Sequence, residues 1–147
     1  GGGGEVGHFP IHPGAEGRLC GCGNAHCLEA FASANGVAAS YLSATGQHLS
    51  CREVFDAAKS GEGKALAVVD EMQHLLGRAL AYLASALDPE VFVVGGGVSK
   101  AGHFLVEGIQ KYYDKYVFPP IKGAKILLAE LGNEAGVYGA AKLALGD

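Results

Sequence analysis

The feature that most constrains this chain lies near its start, where His8, Cys20, Cys22 and Cys27 recur as H-x11-C-x-C-x4-C. An imidazole and three thiolates fall within twenty residues, and Gly21 and Gly23 free the backbone to turn sharply between them. That donor set suits a tetrahedral zinc. Four protein ligands leave no position for water, so the metal is expected to be structural, because a catalytic zinc keeps an exchangeable site. His12 and His26 lie in or beside the same segment and compete as ligands; His26, next to Cys27, reads most simply as a solvent-exposed side chain. Two carboxylates flank the donors, Glu5 just before His8 and Glu29 just after Cys27. A metal that pins both ends of the segment also fixes these carboxylates relative to each other. The zinc reads as a clamp and the glutamates as its purpose.

The rest of the composition narrows the setting. A chain of 147 residues suits one domain, large enough to bury roughly 70% of its unfolded surface. Apolar residues make up 49% and charged ones 18%, which excludes disorder. The net charge of −4 comes with no lysine or arginine block, so the footprint of a nucleic-acid surface is missing from this segment. Small-molecule chemistry is the better expectation. No signal peptide is recognisable and no apolar run approaches a membrane span, so a cytoplasmic location is expected. Three of the four cysteines crowd beside a histidine while Cys51 lies far away, which favours reduced thiols on a metal over disulfides. Cys51 reads as a small buried apolar residue.

Residues 9–19 carry two prolines, two glycines and no helical period, as an irregular ribbon would. From about residue 27 to 44, Leu28, Phe31, Ala32, Ala38, Ala39 and Leu42 keep helical spacing. Glu29 then sits in a first helical turn, where a carboxylate suits the dipole. Gly46 ends that helix, and Ser50 with Glu53 makes a capping-box pattern for a short helix through about Lys59. Leu66, Val69, Gln73, Leu76, Leu80, Leu83 and Leu87 predict a long amphipathic helix over about residues 62–87, stopped by Asp88-Pro89. Val91–Val94 reads as a strand buried on both faces, running into Gly95, Gly96 and Gly97. Ser99 is expected to cap a helix with the stripe Leu105, Ile109, Tyr112 and Tyr116. A strand, a glycine turn and a helix N-terminus together suit a phosphate, although neither a P-loop nor a dinucleotide fingerprint is present. Residues 125–129 (KILLA) predict a second buried strand. Residues 131–136 lead into a last helix, 135–145, whose many small residues predict close packing on the sheet or a neighbouring helix. The order strand, helix, strand, helix predicts a parallel α/β sheet, and two strands are few for an independent one.

Taken together, GEVGH, CGCGNAHCLEAFAS, DPEVFVVGGGVSKAG and LGNEAGVYGAA occur in the order that resembles the ROK family of sugar kinases and related repressors, closest to its bacterial glucokinases. The resemblance spans nearly the whole chain. It implies an α/β fold, the C-terminal half of an actin-like (ribonuclease H-like) ATPase with a zinc-bound loop. Residues 1–147 would form one domain: a zinc and sugar loop at 4–29, a helical segment at 27–87 and a nucleotide-side α/β segment at 90–147. It further implies that His8, Cys20, Cys22 and Cys27 hold zinc, that Glu5, His8 and Glu29 contact sugar hydroxyls, and that Gly95, Gly96 and Gly97 line the ATP site. The four leading glycines suit the approach to the E-x-G-H motif. The family's N-terminal half, with its D-x-G-G-T phosphate loop and catalytic aspartate, has no counterpart here.

The expected function is therefore that of a sugar kinase half, phosphorylating glucose or a related hexose with ATP and Mg2+ once the N-terminal half is present. A homo-oligomer, most simply a dimer, is expected. Asp56, Asp70, Asp88, Asp114 and Asp147 occupy helix, break or terminal positions, and none suits the catalytic base. Two alternatives stand beside this reading. One is a sugar-sensing ROK-type repressor with its DNA-binding helices upstream; the other is a zinc-stapled module without ligand chemistry.

Overall fold

The structure, a computed structural model, describes residues 3–12, 14, 18–131 and 134–146. It is a mixed α/β arrangement built around one long helix. A 3-10 turn at Val6–His8 leads into the ribbon, followed by α1 (Glu29–Ala32), α2 (Ala34–Thr45), α3 (Cys51–Lys59) and α4 (Gly63–Leu87). Then come β1 (Val91–Val94), a 3-10 turn at Gly97–Ala101, α5 (His103–Tyr116), a 3-10 turn at Pro119–Ile121, β2 (Lys125–Leu128) and α6 (Ala135–Leu145). The leading Gly1 and Gly2, part of the turn before α6, and Asp147 lie outside the described residues.

Local chemistry sets most boundaries. The Ser50 hydroxyl accepts from the Glu53 backbone N–H at 3.3 Å while Glu53 Oε2 accepts from the Ser50 N–H at 2.8 Å, the reciprocal box expected from the sequence. Glu62 caps α4 by accepting from the N–H groups of Lys64 and Ala65. Gly46 ends α2 in the left-handed region at φ 74°. The helix expected over 27–44 is in fact two. Ser33 adopts an extended backbone and its hydroxyl accepts from the Gly36 N–H at 3.0 Å, so it caps a new helix rather than continuing the old one.

The core forms where α4 meets α2, α3 and α5, with Val37, Val54, Phe55, Val69, Met72, Leu105, Ile109 and Tyr113 essentially closed to solvent. Burying each large side chain contributes about 1.5–3 kcal/mol. The stripe on α4 holds through Val69, Gln73 and Leu80, but Leu66 and Leu87 are exposed at its ends and Ala65, Val68, Met72 and Ala84 take inner positions. On α5 the buried tyrosine is Tyr113, with Tyr112 and Tyr116 only half-buried, because 3.6 residues per turn carries the inner face from Ile109 to position 113. Gln73, the buried polar side chain, donates to the Phe104 carbonyl at 2.7 Å and ties α4 to the start of α5.

β1 and β2 pair in parallel, Val91 opposite Lys125 through Val94 opposite Leu128, with α5 as the crossover. Neither strand is buried on both faces as expected. Val91, Val93 and Leu127 are exposed, since α5 covers one face of the pair and nothing described covers the other. The close packing expected of α6 is likewise not seen: it has no buried residue, and Val137, Tyr138, Leu143 and Leu145 face outward. Small residues allow close approach but do not supply the surface to approach. Among the described residues no helix is long and apolar enough to cross a membrane.

Candidate metal centre and ligand face

The ribbon folds back on itself before the helices begin. Pro10 bridges Cys27 and Leu19 bridges Ala25, both antiparallel, while the Leu28 N–H donates to the Phe9 carbonyl at 2.9 Å. Between Cys20 and Asn24 the chain turns tightly: the Cys20 N–H donates to the Asn24 carbonyl at 2.8 Å, the Gly23 N–H donates to Cys20 at 2.9 Å, and Gly23 sits at φ 88°. Glycine adopts that conformation without the cost a Cβ would bring. These pairings draw together thiols from two arms and the imidazole at the end of the first 3-10 turn.

The outcome is a cluster of His8, Cys20, Cys22 and Cys27 whose donor atoms all lie within 4.8 Å of one another. His8 Nδ1 is 3.5 Å from Cys20 Sγ, and Cys22 Sγ is 3.6 Å from Cys27 Sγ. A disulfide would need about 2.05 Å, and all four cysteines are free. A tetrahedral zinc with Zn–S near about 2.3 Å sets neighbouring sulfurs about 3.8 Å apart, so the donors fit such an ion in number, type and spacing. Cys20 and Cys27 are buried and Cys22 is exposed. Without a metal the thiols differ: burial, then the neighbouring Cys22 and Cys20, pushes Cys27 up to about 12, whereas a backbone hydrogen bond from Asn24, helped by Cys27, holds Cys22 below the ordinary thiol value.

Glu29 opens α1 directly beside this cluster. Its Oε2 lies 3.6 Å from Cys20 Sγ and 3.9 Å from His8 Nδ1, and the side chain is 55% exposed. Because Nδ1 faces the thiols, Nε2 of His8 remains for a further partner. Glu5 precedes the 3-10 turn, is exposed and makes no capping bond. Gly7, within that turn, packs against Glu29: a Cβ there would come 3.4 Å from the Glu29 Cβ. α1 is itself seated tightly on α2: a Cβ on Gly36 would stand 2.7 Å from the Ala30 carbonyl oxygen.

His12 and His26 take no part in the cluster. His12 stacks on Phe31 with ring centroids 4.2 Å apart, and its Nε2 bonds Glu71 Oε1 at 2.9 Å. His26 is half-buried rather than a free surface side chain, because its backbone sits in the left-handed region at φ 71° and its carbonyl accepts from the N–H groups of Ile11 and His12.

Gly95, Gly96 and Gly97 form an exposed turn after β1, with Gly96 at φ 79°. Ser99 does not cap α5 as expected. It lies inside the intervening 3-10 turn and donates its hydroxyl to the Gly96 carbonyl at 2.7 Å, while Gly102 precedes α5 with no side-chain cap. The glycine turn packs close to the start of α2, where a Cβ on Gly97 would come 3.2 Å from the Ala34 Cβ. Beside it opens a cavity of about 340 Å³, lined by Cys51, Arg52, Phe55, Asp56, Gly97, Val98, Lys100 and Ala101. The α3 residues of this cavity carry no motif and are far from the glycines in sequence, so only the packing of α3 on that turn identifies them.

The ROK family model matches residues 1–147. Among curated relatives, the glucokinase of Halalkalibacterium halodurans is 40% identical over 92% of this chain and 46% of its own length. The chain thus spans about half the length of the curated relatives it matches. Among solved structures, a ROK family glucokinase from Streptomyces griseus, in complex with glucose and AMPPNP, is 33% identical and superposes with a TM-score of 0.77 over 97% of this chain and 51% of that one. A ROK family transcriptional regulator, homolog of the E. coli MLC protein, is 26% identical with a TM-score of 0.69 over 84% of this chain and 33% of that one.

Proposed function

The chain belongs to the ROK family, and from that premise we propose that it is the acceptor-sugar half of a glucokinase-like enzyme that phosphorylates glucose or a related hexose with ATP and Mg2+. Supporting this reading is one observation above the rest: the Glu29 carboxylate stands beside the His8–Cys20 edge of the His/Cys cluster, with the turn that follows Glu5 packed on it through Gly7. In the proposed site zinc bound by His8, Cys20, Cys22 and Cys27 is structural and supplies rigidity. Glu5 and Glu29 accept hydrogen bonds from sugar hydroxyls, each contributing about 1.5–3 kcal/mol. His8 Nε2 faces the sugar in a tautomer set by the metal on Nδ1. The glucose and AMPPNP carried by the Streptomyces griseus relative support the same two ligands here.

Gly95, Gly96 and Gly97 give the nucleotide close access to the backbone, and the cavity between that turn and α3 offers space beside it. The catalytic base and a second phosphate loop are assigned to another segment of the enzyme, in keeping with a chain that spans about half its relatives. Cytoplasmic location and homodimerisation belong to this reading as well. The regulator's likeness favours one second reading, in which the same face senses sugar without phosphorylating it.

The test uses the complete protein. Glu5→Ala or Glu29→Ala should raise the KM for glucose at least about tenfold and leave ATP binding intact. Equal damage to both ligands would overturn the assignment of the carboxylates, and sugar binding without any ATP-dependent turnover would favour the regulator.

A further inference from the structure

Two basic side chains of the ribbon, His12 and Arg18, belong neither to the metal cluster nor to the ligand face, yet both meet the same aromatic ring. The His12 imidazole stacks on Phe31 with centroids 4.2 Å apart and planes 10° from parallel, and the Arg18 guanidinium carbon lies 4.4 Å from the centroid of that ring. Phe31 is the buried residue of α1, two positions after Glu29. The four residues of α1 make a single turn, too short to hold a direction without tertiary support. The direction of the Glu29 carboxylate therefore depends on how Phe31 is seated.

Both ribbon side chains are fixed from the helices around them. Arg18 Nη1 donates to the Ala30 carbonyl at 3.2 Å and to the Ser40 hydroxyl at 2.7 Å, which joins the ribbon to α1 and α2. His12 Nε2 donates to Glu71 Oε1 at 2.9 Å, tying the ribbon to the long central helix α4. Glu71 acts on Arg18 as well: burial pulls the guanidinium below its ordinary value, and the Glu71 charge works against that pull. Among the described residues, no hydrogen bond or ion pair joins Glu71 to Glu5, Glu29 or a cluster residue. We propose that Glu71 is a positioning residue for the acceptor sugar: it holds His12 flat on Phe31, and through Phe31 it sets the direction in which α1 presents the Glu29 carboxylate. The inference rests on the assignment of Glu29 to a sugar hydroxyl. A small misplacement of such a group, made far from the ligand, weakens the reaction without removing any contact atom.

The experiment measures glucose and ATP kinetics and Tm in the complete protein for Glu71→Ala, Glu71→Gln, Glu29→Ala and the double variant of Glu29→Ala with Glu71→Ala. The Glu71 side chain is 49% exposed, so its replacement leaves no buried gap. Glu71→Ala should raise the KM for glucose about three- to tenfold and leave kcat and the KM for ATP within about twofold. Glu71→Gln should restore most of the loss, because its amide oxygen still accepts from His12 Nε2. In the Glu29→Ala background, Glu71→Ala should move the glucose KM less than about twofold, since the group it positions is gone. A merely structural role would lower the Tm without depending on whether Glu29 is present. The proposal is overturned if Glu71→Ala leaves the glucose KM unchanged, if it raises it equally with and without Glu29, or if Glu71→Gln fails to restore it. An unchanged glucose KM in Glu29→Ala alone is a different failure, because it removes the assignment of Glu29 and the positioning role with it.

Discussion

Cys27 and Cys22 carry the consequences of the cluster at the scale of single residues. With its thiol pushed up to about 12, Cys27 holds its proton at neutral pH in the metal-free chain, so a zinc ion must displace it. The direction follows: each proton expelled makes apparent zinc affinity rise with pH, and the raised Cys27 thiol adds to that dependence. Competition against a chromophoric chelator between about pH 6 and 8 should show affinity climbing at least about tenfold per unit. Cys22→Ser should flatten affinity to near the chelator blank across that range, because three donors of one oxygen-free site remain in place of four. A pH-independent affinity would mean the ion does not bind these thiols. Exposed Cys22 is the cleaner site for the substitution, since Cys20 and Cys27 are packed into the ribbon.

At the scale of elements, glycines decide where helices touch. A Cβ on Gly77 would come 2.7 Å from the Ile109 carbonyl and 2.8 Å from the Tyr113 nitrogen, so α4 and α5 cross at backbone contact there. Gly77→Ala should therefore destabilise by about 1–3 kcal/mol through overpacking. Gly139, inside α6, meets nothing within 4 Å, and Gly139→Ala should instead stabilise by about 0.5–1 kcal/mol through lower unfolded-state entropy. Chemical denaturation of the two variants checks the opposite signs. If both moved stability the same way, the close crossing of α4 and α5 would be wrong.

For the whole molecule, the open face of the β1–β2 pair and the bare flank of α6 present Val91, Val93, Leu127, Val137, Tyr138 and Leu143 to solvent. Contiguous apolar surface of this kind is a feature of interaction sites. It accords with a chain spanning 46% of the Halalkalibacterium halodurans glucokinase and with the proposal that a second half completes the enzyme. The 147-residue chain alone should show no measurable hexose phosphorylation, because general base catalysis contributes about 10²- to 10⁴-fold and positioning between domains contributes more. A coupled assay on the chain alone, then with the remaining half added in trans, measures this. Turnover by the chain alone at an ordinary kinase rate would locate a base within these residues.

The clustering of His8, Cys20, Cys22 and Cys27, the capping box of α3, the span of α4 and the parallel β1–α5–β2 unit were legible in the sequence because each rests on local spacing: side-chain type, a reciprocal side chain three residues on, and helical or strand periodicity. Contacts between distant segments were not. Sequence spacing ran one helix through Ser33, placed Tyr112 in the core where Tyr113 lies, buried both strands, and left His26 at the surface. Each of these depends on what a residue meets across space. The hydroxyl of Ser33 meets the Gly36 N–H, Tyr113 meets Phe92 at a centroid distance of 5.9 Å, and the strands meet α5 on one side only. The bond from His12 to Glu71 belongs to the same class, since these two residues become neighbours only when the ribbon lies along α4. Local periodicity determined which elements form; the direction each element faces was decided by the partner it packs against, and by having none.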